Sequence, residues 1–446
     1  MTADKHQSLA QWEEFLAKNP KIEFVWLQYV SYFTRALIRM IPVAKFTEMI
    51  KTSTNAPAPT AAWFLCPGDR LAEGTSPCGT FLLQPDISSA YCQAGSDGTR
   101  AVVQSNCLNT DLTPLEECPR SRLQILHDTL VAREGFSVLV GFEIEVVFMK
   151  EDAAGNYTPI SYKHTYAEVT SEDYGHLNFI EDIVRALLGV GVVLEHFHAE
   201  ASPGQWEFVL PPASPINAAD MLLKARETIT NIALEHGIRA TLYPRIWEDC
   251  VGTGAHAHIS VNDMGHHGSR PELPESFFSG LIQHMPAIMP CILPHDISYA
   301  RVQAGIWSGG EYACWGWENK EVVLRRVATN RFELKLMDGL ANPYLALASI
   351  LAAGLVGLAK GLPLRAGHCR IDPARMDHEE RSALGVDIKL PNTLDASLTA
   401  LEADQEVVTY LTNKLVSSYV TVKRTEMGYL RTLSDDKRRQ WLMSRY

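Results

Sequence analysis

The sequence predicts an α+β fold, in which short strands and helices follow one another without the regular alternation of a doubly wound sheet. Three segments, GFEIEVVF, AHAHIS and RFELKL, carry polar side chains at every second position, which is the period of a half-buried strand. Longer segments between them have helical spacing and helix-capping residues. With 446 residues, of which 46% are hydrophobic, the chain is long enough to bury a core in more than one domain.

The first part of the chain is predicted to form a small domain. Residues 8–18 have the pattern of a short helix, and residues 22–30 (IEFVWLQYV) have that of a strand. The proline-rich segment 55–59 is predicted to be a surface loop. Residues 95–119 contain Gly, Asn, Asp and Pro, which indicates a domain boundary. We therefore predict two domains, residues 1–112 and residues 113–446.

The larger domain is predicted to mix helices with short strands. Asn342 and Pro343 occupy the N-cap and first positions of one predicted helix, and Gly237 is suited to end another. The predicted strands lie at 137–149, 192–200, 205–211 and 255–261. The predicted helices lie at 120–134, 173–189, 218–236 and 343–360, and the chain after Pro391 is predicted to be helical.

Charge and apolar patterning exclude several classes of partner. The formal net charge of −12 disfavours binding to nucleic acid, which needs clustered Lys and Arg. The apolar segment 345–358 is too short to span a bilayer comfortably, and the N-terminus lacks a signal-peptide pattern. Nine scattered cysteines without a CxxC pair indicate reduced thiols. We predict a cytoplasmic protein without a nucleic-acid or membrane partner.

Alternation along the strand-like segments places charged side chains on shared faces. Glu143 and Glu145 project from one face of their strand, whereas Ile144 takes the other. The sequence Ser-Pro-Gly-Gln between Glu200 and Glu207 predicts a hairpin that brings these two carboxylates together. The same period groups His256, His258 and Ser260 on one strand and Arg331, Glu333 and Lys335 on another.

One such segment alone is more often a solvated face than a metal site. Here apolar residues flank the polar positions in several separate strands, which favours polar faces that meet inside the protein. Two carboxylates about 4 Å apart repel by roughly 4 kcal/mol at an effective dielectric constant of about 20. Bound cations would relieve that repulsion. Oxygen-rich ligation with a single histidine suits Mg²⁺ or Mn²⁺ better than Zn²⁺.

Taken in order, five motifs resemble those of the glutamine synthetase family in its class I form. They are VGFEIEVVF, FHAEASPGQWEF, GTGAHAHIS, SYARVQAG and RFELKLMDGLANPYLALASILAAG. In the second motif, Phe197 or Ala199 stands where the family usually has a histidine. The resemblance implies a small N-terminal β-grasp-like domain and a large catalytic domain with an antiparallel curved sheet lined by helices.

The resemblance also implies a role for each matching residue. It implies two metal-binding triads, one of Glu145, Glu200 and Glu207 for the acid substrate and one of Glu143, His256 and Glu333 for the ATP phosphates. It implies nucleotide contacts from His258, Ser260, Arg331 and Arg325, the last on the transferred phosphoryl group. It implies substrate contacts from Gly252, Arg301, Lys335 and Trp307, with Arg301 and Arg325 as catalytic residues.

The reaction implied by the resemblance uses ATP, with Mg²⁺ or Mn²⁺, to activate a carboxylate as an acyl phosphate. An amine then captures the acyl group as an amide, so the partners are a small-molecule acid and a small-molecule amine. Members of the family form two stacked rings in which each active site is completed by a neighbouring subunit. We therefore predict a large ring homo-oligomer with active sites between subunits.

The position at which the family binds ammonium differs in this chain. The family places an aspartate just after the first strand, whereas an ungapped count from Pro42 places Ser31 there. No Asp or Glu occurs among residues 24–47, so a small shift of the alignment does not supply the carboxylate. A neutral hydroxyl lacks the charge that attracts ammonium.

The family's flap glutamate is also replaced, because Trp307 aligns with it. Glu311, four residues further on, is at most a partial substitute. An aromatic residue in this loop, with Trp315 and Trp317 nearby, resembles the γ-glutamylamine ligases, in which an aromatic wall packs against an organic amine. Trp315 and Trp317 fit a plain core role equally well.

Three further departures affect the acid pocket. Val251 replaces an asparagine, and Lys320 and Lys335 replace arginines, so the bidentate fork of arginine is lost at two positions. We predict γ-glutamylation of an organic amine, or use of a similar acid. Two alternatives stay open: an ammonia-dependent glutamine synthetase, and a catalytically inactive scaffold or regulatory protein. Turnover with ammonium alone favours the first, and failure to bind Mn²⁺ and ATP favours the second.

Overall fold

A computed structural model describes residues 2–153, 156–162, 165–265, 272–365 and 367–446 of the chain. Within these ranges the chain forms two main sheets with helices packed around them, which confirms the predicted α+β class. One large cluster of buried hydrophobic residues runs through both sheets and their helices. The second sheet and its helices carry the candidate site.

The elements follow the chain in this order. The strands are β1 (Phe24–Val30), β2 (Ala36–Pro42), β3 (Ala56–Pro59), β4 (Leu65–Cys66), β5 (Arg70–Leu71), β6 (Thr80–Pro85), β7 (Tyr91–Cys92), β8 (Arg100–Leu108), β9 (Phe136–Glu151), β10 (Tyr157–Pro159), β11 (His196–Ala199), β12 (Gln205–Val209), β13 (Arg239–Thr241), β14 (Ala257–Asp263), β15 (Trp315–Trp317), β16 (Leu324–Ala328) and β17 (Arg331–Leu334). The helices are α1 (Thr2–Lys18), α2 (Val43–Thr52), α3 (Pro119–Thr129), α4 (Ser171–Tyr174), α5 (Leu177–Gly189), α6 (Pro215–Glu235), α7 (Glu272–Ile292), α8 (Pro343–Lys360), α9 (His378–Ala383), α10 (Leu394–Ala403), α11 (Gln405–Leu411), α12 (Asn413–Arg431) and α13 (Asp435–Met443).

The first sheet has the strand order β2-β1-β8-β6-β3, and β7 also pairs with β8. Strand β1 runs parallel to β8, whereas its other neighbour, β2, is antiparallel. Trp12 of α1 and Phe46 of α2 are fully buried and contact each other edge to face. All strands of this sheet precede residue 109, and the division between residues 112 and 113 stays a prediction.

One sequence prediction in this region is wrong. Residues 55–59, expected to be a loop, contain β3, in which Ala56 and Ala58 are buried and Pro57 and Pro59 are exposed. Proline is tolerated there because β3 is an edge strand and its outward side needs no N–H donors. The segment 95–119 contains β8, because its turn-forming residues flank a β-branched run rather than interrupt it, and the predicted division at residues 112 and 113 follows this strand.

The second sheet has the order β11-β12-β9-β14-β17-β16-β15, with β10 and β13 also paired to β9. Its pairs are antiparallel except for β15 with β16. The sixteen-residue strand β9 forms the centre and pairs with β12, β14, β10 and β13 along its length. This is the curved antiparallel sheet that the sequence predicted.

Helix α8 lies in the core behind the second sheet and packs against α7, α3, α6 and α11. Asn342 caps it as predicted, because its side-chain oxygen accepts hydrogen bonds from the N–H groups of Tyr344 and Leu345. Among the described residues α8 is the helix long and apolar enough to cross a membrane, and 89% of it is buried inside the protein.

Several predicted boundaries shift by a few residues. The helix expected over 173–189 is divided into α4 and α5, because a Thr170–Asp173 capping box starts α4 and the chain turns at Gly175. The strand expected over 192–200 begins only at His196. Helix α3 gives way to a π-helical turn at Leu130–Glu134 before β9 starts.

A buried ion cluster joins the first sheet to the helices of the second. Arg120, in the first turn of α3, donates to Asp86 at 2.7 Å and to Asp220 of α6 at 2.7 Å. A further guanidinium nitrogen donates to Asn106 of β8 at 2.5 Å, and Tyr344 of α8 donates to Asp220. Arg120 therefore connects the first sheet to helix α6 through charge-assisted hydrogen bonds.

Candidate active site

Four adjacent strands bring the predicted metal ligands into one cavity of about 150 Å³. The register of β12, β9, β14 and β17 places Glu207 opposite Glu145 and His258 opposite Glu333. The residues predicted as metal ligands all line this cavity; we call them the carboxylate floor, namely Glu143, Glu145, Glu200, Glu207, His256 and Glu333. Their roles as ligands stay a prediction.

The alternation predicted for the central strand is present in β9. Glu143 and Glu145 line the cavity, whereas Phe142, Ile144 and Val146 are buried on the opposite face of the sheet. The predicted hairpin is also present, because β11 pairs with β12 and the N–H of Glu200 donates to the Gln205 carbonyl oxygen at 2.9 Å. The sheet itself therefore fixes where the floor carboxylates lie.

The Glu143 carboxylate contacts two imidazoles, those of His256 and His258. Its oxygens lie 2.8 Å from Nδ1 of His256 and 2.8 Å from Nε2 of His258. The same His256 nitrogen lies 3.5 Å from Glu145 and 3.4 Å from Glu333. One imidazole nitrogen thus faces three carboxylates, which is a spacing that a shared cation can occupy.

Glu333 receives two cationic side chains. Nη1 of Arg325 lies 3.0 Å from one carboxylate oxygen, and Nζ of Lys335 lies 2.9 Å from the other. Burial opposes ionisation, but Lys335 and His256 lower the pKa of Glu333 to about 2. Glu318, on the loop between β15 and β16, pairs with a second nitrogen of Arg325. Glu333 is therefore ionised, and Arg325 is held at the edge of the cavity.

Glu207 has the opposite electrostatic environment. Burial, followed by the charges of Glu143, Glu145, Glu200 and Glu333, raises its pKa to about 10. Burial likewise raises the pKa of Glu145. Without a bound cation, the floor therefore has more carboxylates than its own cations can neutralise.

The donor set of the floor fits a divalent metal. Three groups of residues place one ligand atom each within 4.8 Å of one another: Glu143, Glu145, Glu207 and His256; Glu143, His258 and Glu333; and His196, His198 and Glu207. The first two are rich in carboxylate oxygen, which suits Mg²⁺ or Mn²⁺. Glu143 belongs to both, and Glu200 lines the same cavity. The division into two triads stays a prediction.

Arg301 and Gly252 lie together beside the floor. Arg301 is almost fully buried and donates to the carbonyl oxygens of Leu336 and Lys335 at 2.6 and 3.2 Å. A side chain at Gly252 would place its Cβ 2.4 Å from the Pro244 carbonyl oxygen and 3.2 Å from Arg301 Cγ, so only glycine fits. Arg301 and Gly252 both line the cavity, and Nε of Arg301 is buried without a hydrogen-bond partner among the described residues.

Of the predicted nucleotide residues, Arg325 lines the cavity, whereas the other three do not. Ser260 of β14 and Arg331 of β17 are opposite each other in the register, and the Arg331 side chain is exposed. They and His258 lie outside the lining of the cavity, although His258 reaches it through Glu143. Their contacts with a nucleotide stay a prediction.

Two aromatic side chains and a lysine also line the cavity. Tyr166, Trp307 and Lys320, which we call the aromatic wall, all line it. The Lys320 ammonium lies 5.0 Å from the centre of the Tyr166 ring and 5.8 Å from that of Trp307. Trp307 is 53% exposed and has a positive φ of 59°. Glu321 holds its loop by accepting from the N–H groups of Gly305 and Trp307, each at 3.1 Å.

The other residues considered for ammonium lie away from this cavity. Ser31 is fully buried after β1, where its carbonyl oxygen accepts from Asn342 at 3.0 Å. Glu311 lies 3.4 Å from Lys389 and does not line the cavity. Trp315 is a buried core residue, whereas Trp317 is exposed and lies over Arg326. Within the described part of this chain, the carboxylates that line the cavity are those of the carboxylate floor.

The sequence reasoning missed several residues of the cavity region, among them two histidines. His196 and His198 alternate with Phe197 and Ala199 on β11, and His198 Nε2 lies 3.4 Å from Glu200. Their spacing of two was a usable signal. Two others are Gln205, which donates to Glu145 at 2.8 Å, and Tyr166, whose loop gives no periodic pattern.

Residues 116–442 match the family described as "Glutamine synthetase, catalytic domain". The chain is 39% identical over 439 residues to "Protein fluG" of Emericella nidulans; the match covers 97% of this chain and 50% of that protein, so the chain spans half of its length. It is 31% identical over 439 residues to "Gamma-glutamylpolyamine synthetase GlnA3" of Streptomyces coelicolor, with 92% and 91% of the two chains covered.

Solved structures share the fold along almost the whole chain. One described as "Crystal structure of novel glutamine synthase homolog" is 25% identical, with a TM-score of 0.79 and 95% of this chain and 99% of the other covered. Another, described as "GmaS/ADP complex-Conformation 1", is 23% identical, with a TM-score of 0.80 and coverage of 96% and 98%.

Proposed function

This chain belongs to the glutamine synthetase family, and from that premise we propose that it is an ATP-dependent carboxylate–amine ligase acting on an organic amine. The observation that carries the proposal is a single cavity in which a carboxylate floor faces an aromatic wall. The floor suits the activation of an acid by ATP. The wall offers aromatic faces, and the carboxylates that line the cavity in the described part of the chain are those of the floor.

The floor holds the metal ions on which ATP chemistry depends. Carboxylates of Glu143, Glu145, Glu200, Glu207 and Glu333, with His256, provide the ligands. Bound Mg²⁺ or Mn²⁺ supplies the positive charge that neutralises the phosphate oxygens. His258, Ser260 and Arg331 contact the nucleotide. Arg325 faces the transferred phosphoryl group and adds a fixed positive charge beside it.

The acid substrate binds between the floor and Arg301. Its α-carboxylate pairs with the buried guanidinium, and its amino-acid head lies against Gly252, where a side chain would collide with the Pro244 carbonyl. Lys335 keeps Glu333 ionised and marks the end of this pocket. We propose glutamate or a similar acid, because Val251 and Lys320 differ from the family at this point.

The amine binds against the aromatic wall. Tyr166 and Trp307 offer aromatic faces that can pack against the carbon chain of an amine, beside the Lys320 ammonium that lies over both rings. The name of the Streptomyces relative refers to a polyamine product, which supports an organic amine here without identifying it.

The proposed reaction has two balanced steps. A carboxylate oxygen of the acid attacks the γ-phosphorus of ATP, the bond to the β-phosphate oxygen breaks, and ADP leaves. The amine nitrogen then attacks the acyl carbon, inorganic phosphate leaves, and the amine loses a proton. Each step needs orientation and charge neutralisation rather than a covalent enzyme nucleophile.

The test is a phosphate-release screen in which a panel of acids is crossed with a panel of amines, with the acid and the amine each omitted as controls. We expect release that requires ATP, one acid and an organic amine, and little release with ammonium. Equal turnover with ammonium would favour an ammonia-dependent glutamine synthetase. The absence of release with every acid and every amine, ammonium included, would overturn the ligase proposal and favour the inactive scaffold.

We further propose that the chain assembles into a large ring homo-oligomer with active sites between subunits. The exposed apolar side chains Phe24, Ile38 and Met40 on β1 and β2 offer a surface for such a contact. Mass measurement in solution tests this, and a monomeric mass at micromolar concentration would contradict it.

A further inference from the structure

A second cavity, of about 230 Å³, lies on the opposite side of the metal-binding strand. Ile144 and Val146 form part of its wall, and these residues alternate with Glu143 and Glu145 along β9. Its other walls come from the first sheet, from α6 and from the end of the chain, so the cavity lies between the two sheets. We call it the rear cavity.

Three arginines line the rear cavity, namely Arg35, Arg226 and Arg445. Among the described residues none of the three forms an ion pair with a carboxylate. Arg445 instead lies over the Trp441 ring at 3.9 Å and reaches Ser444 at 3.5 Å. Burial and the neighbouring Arg35 charge lower the pKa of Arg445, which indicates that the two guanidinium groups repel each other.

Arg226 of α6 is the most poorly satisfied of these side chains. Its Nε and Nη2 atoms are closed to solvent and have no hydrogen-bond partner in the described part of the chain. Burial lowers its pKa to about 10, against a partly compensating charge on Asp338. A buried guanidinium without a paired anion is an unfavourable arrangement that a bound anion would relieve.

Other polar groups of the rear cavity are unsatisfied as well. Gln28 Oε1 and Thr34 Oγ1 line it, and both are buried without a hydrogen-bond partner among the described residues. The carboxylate that does line it, Glu227, already accepts hydrogen bonds from Tyr91 and Gln93. Water could satisfy hydrogen bonds here, but it would not supply a counter-charge for the buried Arg226 guanidinium.

We propose that the rear cavity binds a small anion of the carboxylate or phosphate class, held by Arg226 with Arg35 and Arg445. Guanidinium groups pair with the planar oxygens of carboxylates and with phosphate through two hydrogen bonds at once. The volume exceeds that of a single water several times over, at about 30 Å³ per water. The anion therefore lies against the back of the strand that carries Glu143 and Glu145. This site is independent of the proposed reaction.

The test uses the full chain without ATP and with divalent metal removed, and titrates inorganic phosphate and succinate separately by calorimetry. Arg226→Met removes the charge but keeps the aliphatic stem. Lys335→Met is the matched control, because it removes a cation from the active cavity instead. We expect one of the two anions to bind the parent and Lys335→Met alike, and to bind Arg226→Met at least tenfold more weakly.

Equal binding by the parent and Arg226→Met, loss only in Lys335→Met, or no binding of either anion to the parent would overturn the proposal. If Arg226→Met does not fold, Arg445→Gln at the same cavity takes its place, and unchanged binding in that variant contradicts the site. The anion that binds also decides between the carboxylate and the phosphate class.

Discussion

The carboxylate floor and the aromatic wall face each other across one cavity, yet they are built in different ways. The floor lies on paired strands, where register fixes each carboxylate opposite a neighbour. The wall lies on loops, where Trp307 is half-exposed and its backbone is held through Glu321. A sheet restricts the positions of its residues far more than a loop does. We therefore expect the floor to carry the chemistry that a family shares and the wall to determine which substrate is accepted.

The floor and the wall also differ in the sign of the charge that they carry. The floor concentrates negative charge, so that Glu207 is driven towards its neutral form. On the wall, the charged group is the Lys320 ammonium over two rings. Under the proposed function, cations bound at the floor serve the chemistry, and the wall selects the amine.

The largest effect is expected from Glu333→Ala in the floor. Loss of this carboxylate removes a predicted metal ligand and the partner of Arg325 and Lys335, so turnover should fall by at least roughly 1,000-fold. The assembled protein should keep its size in size-exclusion chromatography. Glu318→Gln, which alters only the outer partner of Arg325, is the control and should lose less than about tenfold. Retained turnover in Glu333→Ala would remove this residue from the metal site.

A smaller and selective effect is expected from Trp307→Ala in the wall. Loss of one aromatic face should raise the KM for the organic amine by about tenfold, which corresponds to about 1.4 kcal/mol of cation–π and packing contact. The KM for ATP should stay unchanged. Trp317→Ala is matched in chemistry and exposure but lies over Arg326 outside the cavity. Equal effects of the two variants would contradict a role of the wall in amine selection.

A smaller effect still is expected from Glu321→Gln, which weakens the two hydrogen bonds to the N–H groups of Gly305 and Trp307. We expect a rise of about threefold in the KM for the amine, since each bond is worth about 1 kcal/mol. Hydrogen exchange should become faster at residues 305–307. A fall in kcat at unchanged KM would instead assign Glu321 to the chemistry.

The smallest effect on catalysis is expected from Asp86→Asn, because Asp86 lies in neither the floor nor the wall. Burial favours the neutral form of Asp86, but Arg120 and Ser88 hold the pKa of its carboxyl below the ordinary value. The ion pair therefore adds stability above about pH 4 and loses it as the pH falls through the folded pKa. Asp86→Asn should lower the free energy of unfolding by about 2 kcal/mol at pH 7, and the difference from the parent should narrow below pH 4.

Thermal unfolding at several pH values measures this difference, and the surface variant Asp435→Asn is its control. A difference between Asp86→Asn and the parent that does not change with pH would contradict the ion-pair account. If activity falls only in proportion to the fraction of unfolded protein, the ion cluster around Arg120 contributes to stability and not to the cavity.

The floor was predictable from the sequence because its geometry follows from a period of two. Glu143 and Glu145 had to share a face once β9 was recognised, and the turn before Gln205 had to bring Glu200 near Glu207. The same period would have added His196 and His198, had the alternation with Phe197 and Ala199 been counted.

The wall was less predictable because loops have no period. Trp307 was found only through its alignment with the flap residue of the family, and Tyr166 gave no signal. The Tyr166 ring lies beside His198 through a tertiary contact, which the local sequence does not indicate. The strand β3 was missed for a different reason. Prolines mark a loop in most contexts, and only pairing with β6 reveals an edge strand.

The two edges of the first sheet differ in whether a further strand can pair with them. At one edge, β3 presents Pro57 and Pro59, which have no N–H to donate, so another strand cannot form a regular ladder along it. At the other edge, β2 presents exposed Ile38 and Met40, and its proline lies only at the end. Strand addition to this sheet is therefore one-directional, which protects the protein from open-ended polymerisation through this sheet.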